Sequence, residues 1–118
     1  MHELGIARDI LDVVGQYITD DQRPSVRSVR IELGNLSGIV PESLEFCFEA
    51  LVADTPMSAA SLEIVRVPTR ADCTRCGHSF EIDEPVFLCP ACGSSGIKLV
   101  SGTELNVVDI ELADEEGL

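Results

Sequence analysis

Cys73-Thr74-Arg75-Cys76-Gly77-His78 and Cys89-Pro90-Ala91-Cys92-Gly93 are two matching Cys-x-x-Cys-Gly segments, with twelve residues between Cys76 and Cys89. Tetrahedral zinc takes four ligands, with sulfur at about 2.3 Å, and a Cys-x-x-Cys turn delivers two thiolates to one side of the ion. Glycine just after the second cysteine lets the backbone curl so that N–H groups point at sulfur, which is the use expected of Gly77 and Gly93. Four thiolates leave no position open for water or substrate, so the zinc is expected to be structural.

Other readings of the same residues are weaker. Iron in a rubredoxin-like site uses similar knuckles, but the surrounding chain lacks the aromatic packing such electron carriers show. Two disulfides require an oxidising compartment. His78 is two residues past Cys76 and could exchange with a thiolate when ligands protonate; the simpler reading is an exposed histidine.

Residues 69–97 form an insert whose conspicuous apolar residues are Phe80, Ile82, Val86, Phe87 and Leu88. So few cannot fill a core, and the metal must replace one. Outside the insert, the pattern is of a second kind of domain. Leu62 to Val67 and about Glu104 to Leu112 read as strands, and Val29, Ile31 and Leu33 alternate with Arg30 and Glu32 as in a half-buried strand. Leu4, Ala7, Leu11, Val14 and Ile18, with Ile6, Ile10, Val13 and Tyr17 beside them, give an amphipathic helix from Glu3 to Ile18. Thr19 to Pro24 is a polar break. Pro41 suits the first turn of a second helix, with Glu42 and Glu45 near its positive end, and Leu44, Cys47, Phe48, Leu51 and Val52 keep helical spacing. Cys47 is expected to be a small buried hydrophobe. The tail Asp114-Glu115-Glu116 is expected to fray. The domains expected are therefore 1–68 with 98–118, and an inserted zinc-binding domain at 69–97.

The formal net charge is −13, with eight Lys and Arg against 21 Asp and Glu. A zinc ribbon on such a chain lacks the basic footprint nucleic acid requires, and suits metal cations or basic protein partners instead. No run of about 18 apolar residues spans a membrane, and Met1-His2-Glu3-Leu4 lacks the basic and apolar regions of a signal peptide. A cytoplasmic protein is expected.

The N-terminus offers a second metal site. The large His2 side chain keeps Met1 from removal. The Met1 α-amine, the His2 amide and imidazole nitrogens, and the Glu3 amide nitrogen can then supply four donors near one plane. Planar nitrogen sites favour nickel(II) and copper(II), whereas zinc has no such d-electron preference. Selectivity over copper must come from supply. Ligand protons are released, so affinity falls below the α-amine range of about 7.7 to 8.0. The Glu3 side chain is expected either to orient the site or meet an acceptor, or simply to favour the first helical turn.

Residues alone reach a zinc-ribbon protein with a terminal metal site, for which a protein-interaction adaptor without metal transport is the competing reading. In combination, Met1-His2-Glu3-Leu4, Gly34-Asn35-Leu36-Ser37-Gly38-Ile39-Val40-Pro41-Glu42-Ser43-Leu44-Glu45-Phe46, Leu62-Glu63-Ile64, Val67-Pro68, both knuckles and Ser101-Gly102-Thr103-Glu104-Leu105 closely resemble the HypA/HybF family of hydrogenase maturation factors. The resemblance implies an α+β fold: a small three-stranded sheet flanked by two helices, with the zinc-ribbon-like four-cysteine domain inserted between strands. It implies a carrier and not an enzyme, binding transported nickel through Met1, His2 and Glu3 and holding a structural zinc. It further implies delivery to the large subunit of nickel-iron hydrogenase with an accessory GTPase. Some members serve urease, and some form homodimers. No departure occurs at a metal-binding position.

Overall fold

The computed structural model describes residues 3–113. The expectations for Met1, His2 and the tail at Asp114-Glu115-Glu116 lie outside them. The elements in chain order are α1 (Glu3–Tyr17), a 3-10 segment (Asp20–Ser25), β1 (Val26–Gly34), α2 (Pro41–Val52), β2 (Ser61–Val67), β3 (Thr69–Cys73), β4 (Ser79–Ile82), β5 (Ile97–Ser101) and β6 (Leu105–Leu112). They make two three-stranded sheets, ordered β2-β1-β6 and β4-β3-β5. The fold is mixed α+β, with a four-cysteine cluster of zinc-ribbon type.

The chain divides into two compact units, one of residues 1–32, 39–65 and 106–118, the other of residues 33–38 and 66–105. In the first unit α1 packs on α2. Ile6, Ala7, Ile10 and Val14 form the buried stripe of α1, and Leu44, Phe48 and Val52 that of α2. Such i, i+3, i+4 spacing puts one face of each helix into the core. Val29 and Ile31 of β1 are fully buried, and Leu62 of β2 is buried with them. Alternate residues of β1 face away, where Arg30 bridges Glu63 of β2 and Asp109 of β6 at 3.0 and 3.1 Å.

The apolar stripe of α1 is narrower than the sequence suggests. Leu4 is 45% and Tyr17 75% exposed, because these positions sit at the edge of a stripe centred on Ile10 and Val14. Cys47 is half-buried, not buried as expected; Leu44 and Phe48 point into the core and carry Cys47 to the flank. The polar break contains a helical turn, in which the Thr19 N–H donates to Gln22 Oε1 at 2.9 Å and Gln22 N–H to the Thr19 carbonyl at 3.0 Å.

In the second unit, β3 pairs antiparallel with β4 and with β5. Its core is Ala71, Cys73, Phe80 and Cys89, flanked by Ile82 and Ile97. Val86, Phe87 and Leu88, counted with the apolar residues of this segment, are exposed. Gly34 and Gly102 close the unit by backbone contact: Leu36 N–H donates to the Gly102 carbonyl at 2.7 Å and Gly34 N–H to the Glu104 carbonyl at 2.8 Å.

Candidate metal centre

The end of β3 and the loop before β5 each supply one knuckle. In both, the first cysteine donates its N–H to the carbonyl five residues ahead, Cys73 to His78 and Cys89 to Ser94, each at 2.9 Å. The glycine N–H closes the turn, Gly77 to the Cys73 carbonyl at 3.0 Å and Gly93 to the Cys89 carbonyl at 2.8 Å. Gly77 and Gly93 have φ of 78° and 74°, the left-handed region that side chains with a Cβ avoid. Inside the first knuckle the Arg75 and Cys76 N–H groups donate to Cys73 Sγ at 3.3 and 3.4 Å. Thr74 ties the two segments together, its N–H and its hydroxyl both donating to the Gly96 carbonyl at 2.9 and 2.7 Å.

This scaffold brings all four predicted sulfurs within 4.8 Å of one another. Cys73 Sγ lies 3.7 Å from Cys92 Sγ, and Cys76 Sγ 3.6 Å from Cys89 Sγ. A tetrahedron with ligands at about 2.3 Å has edges of about 3.8 Å. The spacing fits a tetrathiolate metal site and is too long for S–S bonds, which are about 2.0 Å.

Thiols packed this closely compete for protons. N–H donation from Cys76, reinforced by Arg75, holds the Cys73 thiol down at about 6, below its ordinary 9.0. At Cys92 the Ser94 N–H acts downward, but desolvation and the three other thiols outweigh it and push the group up to about 12. Cys76 is also raised, the downward pull of the His78 N–H being overcome by the Cys89 thiol and desolvation. One site therefore holds thiols of opposite tendency, and a dication that stabilises thiolates would displace the remaining protons.

The ring of His78 stacks on Phe80, centroids 5.9 Å apart and 14° between planes. Among the described residues the metal-capable cluster consists of the four cysteines without a histidine. Glu3, the one described residue of the predicted N-terminal site, opens α1 and accepts a hydrogen bond from the Val40 N–H at 3.4 Å. Sequence reasoning missed Val40, which is 37 residues away and carries no polar side chain to signal the contact.

A family model described as hydrogenase/urease nickel incorporation, metallochaperone, hypA matches residues 1–112. The chain belongs to the HypA family. Its relatives include the hydrogenase maturation factor HypA of Desulfosudis oleivorans, 43% identical over 115 residues that cover 97% of this chain and all of that protein. That of Geobacter metallireducens is 41% identical, covering 95% of this chain and 99% of the relative. The fold agrees with the solution structure of the Ni metallochaperone HypA from Helicobacter pylori, at a TM-score of 0.65, 20% identity, and coverage of 98% of this chain and all of that one. A second HypA solution structure aligns at a TM-score of 0.67 and 20% identity, covering 95% and 96% of the two chains. HypA proteins are metallochaperones of hydrogenase maturation, a class of maturation factor and not of enzyme. Among the described residues no helix is long and apolar enough to cross a membrane.

Proposed function

We propose that this HypA-family chain is a cytoplasmic carrier that binds nickel(II) at Met1-His2-Glu3 and delivers it to the large subunit of nickel-iron hydrogenase, working with an accessory GTPase. The carrying observation is the family match from residue 1 to 112 under a description of nickel incorporation. The donor chemistry supports it: amine, amide and imidazole nitrogens on consecutive residues make a planar set that nickel(II) prefers and zinc does not. Cargo held on a few residues can be taken by an acceptor one donor at a time, so delivery need not wait for complete dissociation.

The second ion in this reading is zinc, held permanently by Cys73, Cys76, Cys89 and Cys92. Sulfur spacing of 3.6 to 3.7 Å supports a closed tetrathiolate site. Residues 1–68 with 98–118 then form the nickel-binding part, and 69–97 the zinc-binding part. Elemental analysis after nickel loading tests the assignment. One zinc and one nickel per chain are expected, falling to zinc alone for His2→Ala; nickel retained by that variant refutes the terminal site.

A further inference from the structure

We infer that the outer edge of β4 and the cavity at its end are a docking site for an extended segment of a partner protein, in which basic and apolar residues alternate. The segment adds a strand to the sheet and lowers one apolar side chain into the cavity. The inference stands apart from the terminal nickel site proposed above and needs none of its residues.

β4 is an end strand in the order β4-β3-β5. It pairs with β3 in the register Thr69 with Ile82, Arg70 with Glu81, Ala71 with Phe80 and Asp72 with Ser79, and one step further the Cys73 N–H donates to the His78 carbonyl. Hydrogen-bonded pairs alternate along an antiparallel ladder. Counting from Cys73 and His78, Phe80 and Ile82 therefore bond to β3, while Ser79 and Glu81 turn their N–H and carbonyl groups outward. Two outward residues make a short ladder, to which an extended peptide can add as a further strand. Backbone bonding over that length is weak, so side chains must supply most of the affinity.

The cavity supplies one part. It measures about 500 Å³, opens at the Thr69–Ile82 end of the β3–β4 pair, and is walled by Leu36, Ile82, Pro85 and Phe87. Phe87 is left 41% exposed, so covering it removes apolar surface from water. Thr69 and Ile82 lie on the face of the strand pair opposite Arg70 and Glu81, which bridge each other at 3.1 Å. Side chains of a strand alternate between faces. A segment laid along β4 thus directs every second side chain towards the cavity and the others over the Glu81 face.

Charge selects the occupant. Asp83 and Glu84 directly follow β4, the outer strand, whereas Arg66 precedes β3, and all three line the cavity. None of the three makes an ion pair among the described residues. A segment arriving at the free edge meets the two carboxylates, which match positive residues flanking its apolar anchor. Arg66 disfavours a second cation inside the cavity, so the side chain that enters is apolar. The net charge of −13 draws a basic segment towards the chain as a whole.

The probe is a short blocked peptide of alternating lysine and valine, titrated by NMR into the full chain loaded with zinc at its four cysteines. We expect saturable shifts of the Ser79, Glu81, Ile82 and Phe87 amides. The same peptide N-methylated on alternate amides, in the register that faces β4, should bind about tenfold more weakly, as should a glutamate–valine peptide. Phe87→Ser, and Asp83→Asn combined with Glu84→Gln, should each weaken binding by roughly threefold to tenfold, with zinc content unchanged. Absence of saturable shifts at β4 overturns the proposal. So does equal binding of the parent and N-methylated peptides with shifts spread over acidic residues elsewhere, which is charge attraction without a docked strand. The N-methyl comparison leaves the protein unaltered, and it decides the matter even where a variant loses its fold.

Discussion

Cys73 Sγ and Cys92 Sγ are 3.7 Å apart across nineteen residues of sequence, and each belongs to a different knuckle. The second short pair, Cys76 with Cys89 at 3.6 Å, crosses between knuckles in the same way. A metal at the centre would therefore staple the loop before β5 to the end of β3, which is the contact the apolar residues of this unit are too few to make.

Loss of the metal should consequently unfold this unit and spare the other. Two of its four buried core residues, Cys73 and Cys89, are ligands, and Ala71 and Phe80 cannot form a core without them. Metal binding supplies about 10–16 kcal/mol in small zinc-dependent domains. Cys73→Ala, or a strong chelator, should collapse the amide NMR dispersion of residues 69–97 while the signals of α1 and α2 persist. Retained dispersion in the second unit would contradict the stapling role.

The five elements with clear periodicity, α1, β1, α2, β2 and β6, were legible in the sequence, as was the cysteine cluster. β3, β4 and β5 were not. In β3 the inward residues are Thr69, Ala71 and Cys73, too small and polar to register as a hydrophobic alternation although burial alternates along the strand. In β5 Lys98, Leu99 and Val100 are all exposed, so there is no buried face to read. Val86, Phe87 and Leu88 are apolar but exposed, and so add nothing to the small core of this unit. The Glu3–Val40 contact had no signal because backbone N–H groups are the same in every residue but proline.

Zinc affinity should rise with pH. Cys73, depressed to about 6, is the thiol already ionised near neutrality, whereas Cys92, raised to about 12, keeps its proton until a cation displaces it. Binding near pH 7 must therefore release protons, and lowering the pH from 8 towards 6 adds competition first at Cys76 and Cys92 and finally at Cys73. Zinc titration in weakly buffered solution with a pH indicator should report acid release, and a titration that releases none would count against the assignment.

Gly34 and Gly102 should tolerate no side chain. A Cβ on Gly34 would collide with the Gly102 carbonyl, and one on Gly102, whose φ is +117°, would come within 2.7 Å of Thr69 Oγ1 and 3.0 Å of Thr69 Cα. Thr69 is buried and cannot step aside. Gly34→Ala and Gly102→Ala should each cost about 1–3 kcal/mol, read as a lowered denaturation midpoint. Gly38, at φ +78° with open space around its Cβ direction, should lose only the backbone cost of about 1 kcal/mol on the same change. Equal losses at the three positions would show that packing at Gly34 and Gly102 contributes nothing.

A planar terminal site needs the free amine of Met1 as one of its four donors. The decisive comparison is nickel titration of protein whose first residue is Met1 against the same protein acetylated at that amine. One nickel with a planar-nitrogen absorption spectrum is expected in the free form and none at that site in the acetylated form, with the zinc content of both unchanged. Equal nickel uptake and the same spectrum in both forms would overturn the terminal site.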